Sequence, residues 1–585
     1  MDNNSTNLEE YFIKSKEVFS RSSLSIDEIN SFIKIENQTR NHAKPEYNDH
    51  YVEIFTILRD RIIIPNAGKL DLINTFENLS VIIRNSSIRL KPHPQADSIC
   101  TSLLNSIGQN ELIWQYNILR MVLIINTFNH NDWRDQFITR LFDLPSAACF
   151  KSMNDVYQLG NVFRSLFNTC EDLMYCLEKH VFTDVFFGKD LTTQRSNFMW
   201  VLEVIWNIVF KESPGHMVII PAWFKLFSKA IEIDDKELVF YMHMPLSHIY
   251  LNMCHTQEEF KVFNDKVEIP LSKYIQKKMR KWGFKPNKKK LPDNNGKKIA
   301  FVYDRLVGNS PVKLLISLLT YLKEEGDLEL FVYDMGYVEK AKSDPAMIEE
   351  VKNLGITYIN NHDLIADAQN GHHYSHFDKA VKLREQTIKD DIDILIMTGN
   401  RMPSGFMFAT RTAPMQIFWD HGNHEYDVKN IDKRICHFDD TYRNSFEFER
   451  FELKMLPKYL KQEEETNKKK AADIKKKLPE HNVVLGSIGR LMKLSDEYIE
   501  TVAEILETNP DTIYLACGSG NTEELAKKVV ELGLKDRFII TGWIDPQVYG
   551  YVIDIYLNTF PLEGGESVNE FIAKGEDKYV VSMQK

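Results

Sequence analysis

The sequence is poor in cysteine and has no long apolar run. Only seven of its 585 residues are cysteines, they are scattered, and no two are spaced as CxxC, so we expect neither a disulfide framework nor a structural zinc site. No stretch of about 18 apolar residues occurs, and the N-terminus shows no basic region followed by an apolar core. A cytoplasmic protein with no membrane span is therefore expected.

The sequence also lacks an excess of positive charge. Its formal net charge is -11, so no field draws it to nucleic acid, and no nucleic-acid partner is predicted. Hydrophobic residues make up 43% of the chain and aromatic residues 11%. This content suits a globular protein of about three domains, each with its own core.

Residues 1–285 are predicted to form an all-α domain. Stretches such as ELIWQYNILRMVLIINTFN and SNFMWVLEVIWNIVFK space their apolar residues as helices do, with few glycines and little strict alternation. No repeat of fixed period supports a solenoid. A basic segment with proline and glycine, residues 277–298, marks a linker. The helical domain is expected to contact protein partners.

Residues 286–460 and 461–585 are predicted to form two Rossmann-like domains. In both, short apolar strands alternate with helix-like segments, which is typical of a parallel sheet. The strands of the first domain are KIAFVYD, LELFVYDM, ITYIN, DILIMTG and PMQIFWD, and those of the second are NVVLGSIGR, TIYLACG, RFIITG, DIYLNTF and YVVSM. The predicted fold class is α/β, with two Rossmann-like domains preceded by an all-α domain.

Ligands of open α/β sheets bind beyond the carboxyl ends of the strands, and the segment TFPLEGGESVNE lies at such an end. Gly564 and Gly565 precede a helix, where backbone N–H groups can approach an anion. Ser567 and Glu570 match a capping box, which would merely start the helix. Alternatively, Glu570 accepts hydrogen bonds from a ribose diol. The segment, with Glu566, is predicted to bind a nucleotide diphosphate.

Two cations follow the first strand of the second domain. In GSIGRLMKLS, Arg490 and Lys493 lie three residues apart after a glycine turn, where both can meet one diphosphate and neutralise charge on a leaving group. Arg and Lys are common on the surface after strands, so this pair alone would not indicate a binding site. The prediction depends on the glycine-rich helix start in the same domain. Gly518 and Trp543, which follow two further strands, complete the predicted nucleotide-binding residues.

Acidic and histidine side chains crowd the segment IFWDHGNHEYD at the end of the first sheet. Asp420, His421 and His424 offer general bases with pKa values near or tunable towards neutrality, so we predict that they are catalytic together with Lys493. Hydrogen-bonded scaffolding and a metal site are the alternatives. No spacing here matches a defined zinc or iron motif, and no metal is predicted.

The loop after the first strand, DRLVGNSPVKLL, is the predicted acceptor side. Its residues Gly308, Asn309 and Ser310 form either a plain strand-to-helix corner or, facing a cleft, a contact for an acceptor. Asp391 and Asp393 form an Asp-x-Asp pair that can hold a metal in some nucleotide-sugar enzymes. Because this pair precedes its strand, it is predicted to lie at the amino edge of the sheet, away from ligands.

Three segments resemble the GT-B glycosyltransferases, in particular the O-GlcNAc transferase group with its bacterial cytoplasmic protein N-glycosyltransferases. They are ATRTAPMQIFWDHGNHEYD, LMKLSDEYIETVAEI and TGWIDPQVYGYVIDIYLNTFPLEGGESVNEF, and the resemblance spans residues 298–585. It implies a cleft between two Rossmann-like domains, in which Lys493 contacts the nucleotide diphosphate and Glu570 holds the ribose.

The chain departs from this group in three places. The loop DRLVGNSPVK has no histidine, whereas family members place one there, so acceptor chemistry is not carried over to this loop. No tetratricopeptide array is evident. The chain stops at YVVSMQK, where GT-B enzymes usually continue through more helices that pack back on the first domain, so we expect either that the second domain is cut short or that its closure differs.

The predicted function is transfer of a sugar from a UDP-sugar to a protein side chain, without metal or any cofactor beyond this co-substrate. One alternative is the same chemistry on a glycan or a lipid-linked acceptor. A second is a helical interaction protein with a catalytically silent GT-B half, since fold alone does not determine function.

Overall fold

A computed structural model describes residues 3–21, 25–39, 48–146, 149–150, 152–210, 214–254, 256–292, 297–326, 328–337, 342–364, 375–398, 402–421, 426–437, 446–520 and 522–583. The chain divides into two compact units, Met1–Leu226 and Phe227–Lys585. None of the described helices is both long enough and apolar enough to cross a membrane.

The first unit is helical, as predicted. Its helices are α1 (Asn3–Phe19), α2 (Ile26–Thr39), α3 (Asn48–Leu58), α4 (Ile73–Arg84), α5 (Ala96–Ser106), α6 (Leu112–Phe128), α7 (Arg134–Leu141), α8 (Met153–Leu166), α9 (Cys170–His180) and α10 (Leu191–Met199), followed by a π-helical segment, Trp200–Val209. Helix α6 is apolar on all sides and lies in the core. Its one buried cation, Arg120, is paired with Glu77 of α4 at 2.5 Å.

Four helices precede the first sheet: α11 (Ile220–Glu232), in which the division falls, α12 (Lys236–Met253), α13 (Gln257–Phe263) and α14 (Ile269–Lys278). Helix α12 packs on the first Rossmann-like domain through aromatic rings. Phe240 meets Phe377 edge-on at 5.2 Å and Phe406 at 5.8 Å. Residues 227–278, which the sequence groups with the helical domain, therefore share a compact unit with the sheets.

The first sheet has seven parallel strands. They are β1 (Lys298–Tyr303), β2 (Glu329–Asp334), β3 (Thr357–Asn360), β4 (Ile394–Thr398), β5 (Met415–Asp420), β6 (Lys433–Cys436) and β7 (Glu449–Arg450), in the order β3-β2-β1-β4-β5-β6-β7. The helices are α15 (Ser310–Glu325), α16 (Pro345–Asn353), α17 (Asn361–Leu364), α18 (His376–Lys389), α19 (Met402–Ala409) and α20 (Pro457–Leu460). The five predicted strands are confirmed as β1 to β5, whereas β6 and β7 were not predicted.

The second sheet has the five predicted strands, all parallel. They are β8 (Val483–Ile488), β9 (Thr512–Cys517), β10 (Phe538–Gly542), β11 (Ile555–Asn558) and β12 (Tyr579–Ser582), in the order β10-β9-β8-β11-β12. The helices are α21 (Glu464–Lys475), α22 (Asp496–Thr508), α23 (Thr522–Glu531), α24 (Pro546–Val552) and α25 (Glu566–Ile572).

Both sheets reverse their strand order at one point. In the first sheet the reversal lies between β1 and β4, and in the second between β8 and β11. Open α/β sheets bind ligands at such a switch point, beyond the carboxyl ends of the strands. The loops that follow these strands are therefore the places to look for a site.

Candidate active site

The loops after β8 and β11 flank the switch point of the second sheet and are bonded to each other. Lys493 Nζ donates a hydrogen bond to the carbonyl oxygen of Glu563 at 2.5 Å. Ser495 Oγ donates to the carbonyl oxygen of Phe560 at 2.9 Å. The predicted cations and the predicted glycine-rich segment thus lie side by side, as the topology requires.

A narrow recess of about 10 Å³, the space of roughly one water molecule, lies at this switch point. It is lined by residues from the carboxyl ends of three adjacent strands, among them Arg490, Lys493, Cys517 and Thr559. Both predicted diphosphate-binding cations therefore line the same recess. An anion at its mouth would meet two positive charges.

The electrostatics of Lys493 indicate a site whose one nearby carboxylate, Glu563, does not offset burial and the neighbouring cation. Burial, followed by repulsion from Arg490, lowers the pKa of Lys493 to about 8. Arg490 is exposed as a residue, but burial of its guanidinium lowers its pKa, and Nη1 donates to Asn252 Oδ1 in α12 at 3.2 Å. A bound diphosphate would offset the repulsion between the two cations and restore the ordinary pKa of Lys493.

Gly518 shapes the recess through its backbone. It follows β9, and a Cβ atom built on it would lie 1.6 Å from the carbonyl oxygen of Gly489. Only glycine lets the loops after β8 and β9 approach this closely. Trp543, also in the predicted nucleotide-binding set, follows β10 and is 79% exposed. It is not among the residues that line the recess.

The helix predicted at TFPLEGGESVNE forms as α25, but the capping box is wrong. The N-cap is Gly565, at φ 61°, and no side chain caps the helix. Ser567 lies inside the first turn, where its Oγ donates to the Gly564 carbonyl oxygen and bonds to Tyr556 OH, both at 2.9 Å. Since α25 has only seven residues, its dipole is short, and the charge available to an anion comes mainly from the neighbouring cations.

The Glu570 carboxylate lies between the two Rossmann-like domains. It is buried, and Ser310 Oγ donates to its Oε1 at 2.9 Å. Gln547 Nε2 lies 3.4 Å from its Oε2. Because the N-cap is Gly565, Glu570 is the fifth residue of α25 and lies beyond the position from which a side chain caps the helix. One predicted nucleotide-binding residue thus meets one predicted acceptor-side residue.

The acceptor-side loop forms the corner expected after β1. Asn309 is the N-cap of α15, and its Oδ1 accepts from Val312 N at 3.2 Å. Gly308 precedes it in the loop, with no atom within 4 Å of a Cβ built there. The corner therefore presents Ser310 to the cleft while Asn309 is occupied in capping.

A cluster of aromatic and imidazole rings lies at the carboxyl ends of β1, β5 and β6. His421 Nε2 is 3.0 Å from Tyr303 OH, and its ring centroid is 4.3 Å from that of Trp419. Burial raises the pKa of Tyr303 well above its ordinary value, so the phenol stays protonated and either donates to His421 Nε2 or accepts from it, according to the imidazole tautomer. Asp420 is the buried last residue of β5. His424 lies outside the described residues.

His437 is a further imidazole of this cluster, and the sequence analysis missed it. Its Nδ1 accepts from the indole N–H of Trp419 at 3.1 Å. An indole nitrogen only donates, so the proton of a neutral His437 is on Nε2, which faces Glu566 Oε1 of α25 at 3.2 Å. His437 follows the unpredicted strand β6, and recognising that strand would have drawn attention to it.

Two contacts, Ser310 with Glu570 and His437 with Glu566, join the carboxyl edges of the two sheets. Two Rossmann-like domains that face each other in this way define the GT-B type, as predicted. The chain has a GT-B fold.

Asp391 and Asp393 have the structural role predicted for them. Lys289 Nζ pairs with both carboxylates, at 2.9 Å and 2.8 Å. Asp393 Oδ2 also accepts from Lys298 N at the start of β1. Both residues precede β4, at the opposite edge of the sheet from the cleft. Across the described part of the chain, no three His, Cys, Asp or Glu side chains are grouped closely enough to hold a metal ion.

No protein-family model matches the chain, and no curated protein does. Among solved structures, a mutant of the Thermobaculum terrenum O-GlcNAc transferase is similar at 14% identity and a TM-score of 0.42, over 84% of this chain and 83% of that chain. The pneumococcal O-GlcNAc transferase GtfA, in complex with UDP and GlcNAc, is similar at 11% identity and a TM-score of 0.30, over 50% of this chain and 85% of that chain. Anabaena HepE, in complex with UDP and glucose, is similar at 14% identity and a TM-score of 0.34, over 49% and 80%. At these identities and TM-scores, function has to be inferred from the geometry of the site itself.

Proposed function

We propose that this chain is a glycosyltransferase that transfers a sugar from a UDP-sugar to a side chain of an acceptor protein, without a metal ion. The observation that carries the proposal is the recess at the second switch point, where Arg490 and the desolvated Lys493 lie beside the glycine-rich loop. Two cations at the carboxyl ends of the strands, beside a glycine-rich loop, suit the diphosphate of a nucleotide sugar.

In the proposed reaction the bond between the anomeric carbon and the diphosphate oxygen breaks. A new bond forms between that carbon and an oxygen or nitrogen of the acceptor side chain. Negative charge collects on the departing diphosphate, where Lys493 and Arg490 stabilise it more strongly than in the ground state. These residues perform the role that a divalent cation would otherwise have.

The acceptor must lose a proton in the same reaction. Asp420 and His421 lie at the end of β5, on the first domain's side of the cleft, and are the proposed groups that accept it. His437 is a proposed positioning residue, because its hydrogen bond from Trp419 fixes the ring and directs Nε2 to Glu566. Glu570 is proposed to bind the ribose hydroxyls.

Two further parts of the proposal concern the setting of the reaction. All seven cysteines are buried and none forms a disulfide, which supports a reducing compartment such as the cytoplasm. The helical residues that precede the first sheet are proposed to contact the acceptor protein.

The decisive experiment combines donor turnover with acceptor identification. The purified chain is incubated with UDP-glucose or UDP-GlcNAc in the presence of EDTA. UDP release is measured with and without added proteins from the cells in which the chain was expressed. Mass spectrometry of those proteins should show a hexose or N-acetylhexosamine on side chains. Glycosylation of glycans or lipids alone would reject the protein acceptor, and absence of both donor binding and UDP release would reject the enzyme.

Lys493→Ala and Lys476→Ala provide a matched pair of variants. Lys476 is an exposed lysine of the same domain, outside the recess. Lys493→Ala should lower turnover by removing about 2 to 3 kcal/mol of transition-state stabilisation. Lys476→Ala should leave turnover unchanged. Equal turnover of the two variants would remove Lys493 from the mechanism.

A further inference from the structure

The helical unit contains a cavity of its own, of about 310 Å³. It lies where α4, α6 and α8 end, and its lining includes Arg84, Arg89 and Arg134. The volume is at the lower end of the range of small-ligand sites. Nothing in the proposed glycosyl transfer uses this cavity.

Arg84 is held in a fixed orientation beside the cavity. Its Nε donates to Ser165 Oγ at 2.8 Å, and its Nη1 donates to Thr127 Oγ1 at 2.9 Å. Each hydroxyl in turn donates to a backbone carbonyl of its own helix. The remaining nitrogen, Nη2, is buried and has no hydrogen-bond partner. A buried donor without a hydrogen-bond partner lowers the free energy of unfolding unless a bound ligand supplies an acceptor.

Arg84 has no counter-charge in contact with it. No carboxylate within the described ranges forms an ion pair with it, and Glu77 attracts it only from a longer distance. Burial lowers its pKa to about 10, which still leaves it charged at neutral pH. Arg89 and Arg134 add two guanidinium groups to the lining, where Asp132 is the one carboxylate. Because Arg134 is also paired with Asp135 at 3.2 Å, three cations and two carboxylates leave a net charge of about +1, in a chain whose overall charge is -11.

We infer that this cavity binds a phosphate group, carried by a small molecule or by a phosphorylated side chain. A guanidinium forms paired, charge-assisted hydrogen bonds with phosphate oxygens, and three arginines around one cavity favour a phosphate dianion over a carboxylate of single charge. Arg84 would supply the pre-oriented donor, and Arg89 and Arg134 would complete the charge.

Calorimetry of the whole chain can test this inference at constant ionic strength. Inorganic phosphate and O-phosphoserine are titrated, with acetate as the anion of single charge. We expect phosphate binding that weakens at least tenfold in Arg84→Gln and in Arg89→Gln. Arg89 is exposed, so its variant keeps the test valid if Arg84→Gln does not fold. Arg61→Gln is the control, because Arg61 is in the same unit and does not line this cavity.

The outcomes separate the possible sources and the possible failures. Tighter binding of O-phosphoserine than of phosphate would assign a phosphorylated side chain, and equal binding would assign a small phosphate ligand. No binding, unchanged binding in both cavity variants, or acetate binding as tight as phosphate binding would overturn the inference. Lys493→Ala should keep its phosphate affinity, so failure here is distinguishable from failure of the proposed transferase.

Discussion

UDP affinity is expected to fall about tenfold between pH 7 and pH 9 because Lys493 loses its proton in that range. In the free protein, burial and Arg490 lower the pKa of Lys493 to about 8. A diphosphate charge about 4 Å away contributes on the order of 4 kcal/mol near a protein surface, which is about three pKa units. The bound form therefore keeps its proton well above pH 9.

The sign follows from these two pKa values. Below about pH 8 both states carry the proton, and the affinity does not change with pH. Above it the free protein must take up a proton before it can bind, and the affinity falls until the pKa of the bound state is reached. At pH 9 the Lys493 side chain is charged in only about one-tenth of the free protein. UDP affinity is therefore about tenfold weaker than at pH 7, which corresponds to about 1.4 kcal/mol of binding free energy.

Titration calorimetry at both pH values measures this loss, and Lys493→Arg serves as the comparison. An arginine stays charged throughout, so its affinity should lack the tenfold fall. The pKa of Lys574 is also lowered to about 8, and the ligand ionises as well. Both effects change UDP affinity equally in wild type and Lys493→Arg, so they cancel in the comparison. The same fall in wild type and Lys493→Arg would refute the argument, as would no fall in wild type.

Three further predictions concern the same cleft. UDP should raise the melting temperature in EDTA, by the equivalent of about 2.7 kcal/mol at one hundred times its Kd; a strict need for magnesium or manganese would contradict this. Glu570→Gln should lower UDP affinity by about 1 to 2 kcal/mol, whereas Asn569→Ala, an exposed neighbour on α25, should leave it unchanged in the same calorimetry. Ser567→Ala should cost about 1 kcal/mol of unfolding free energy in thermal melts, because the hydrogen bonds to Tyr556 and Gly564 are lost; an unchanged melting temperature would show that these bonds contribute nothing.

The fold was largely predictable because buried parallel strands are continuous apolar runs. β1 and β9, for example, are buried along almost their whole length. β6 and β7 were missed because they have only four and two residues and include Lys433, Arg434 and Glu449, which do not alternate with apolar side chains. Their short length and exposed charges suit strands near the edge of a sheet.

The candidate site was predictable where strand ends determine position. Arg490 and Lys493 follow β8, and the glycine pair follows β11, so the topology brings them together. Glu570 shows the limit of local patterns: the capping box was wrong because the helix begins earlier than expected, with Gly565 as its N-cap. The Glu570 carboxylate accepts instead from Ser310, 260 residues away, and spacing along the sequence cannot reveal a partner of that kind.

If Glu570 binds the donor ribose as proposed, its hydrogen bond with Ser310 would couple donor binding to the opening of the cleft. If a ribose hydroxyl donates to the same carboxylate oxygen, it replaces a hydrogen bond between the two domains. The free energy needed to break that bond then reduces the favourable binding free energy of UDP. The linkage is reciprocal: whatever separates the two domains at Ser310 strengthens donor binding by the same factor. An acceptor that wedges against the corner after β1 would thereby favour capture of the donor, and the two substrates would bind cooperatively without touching each other.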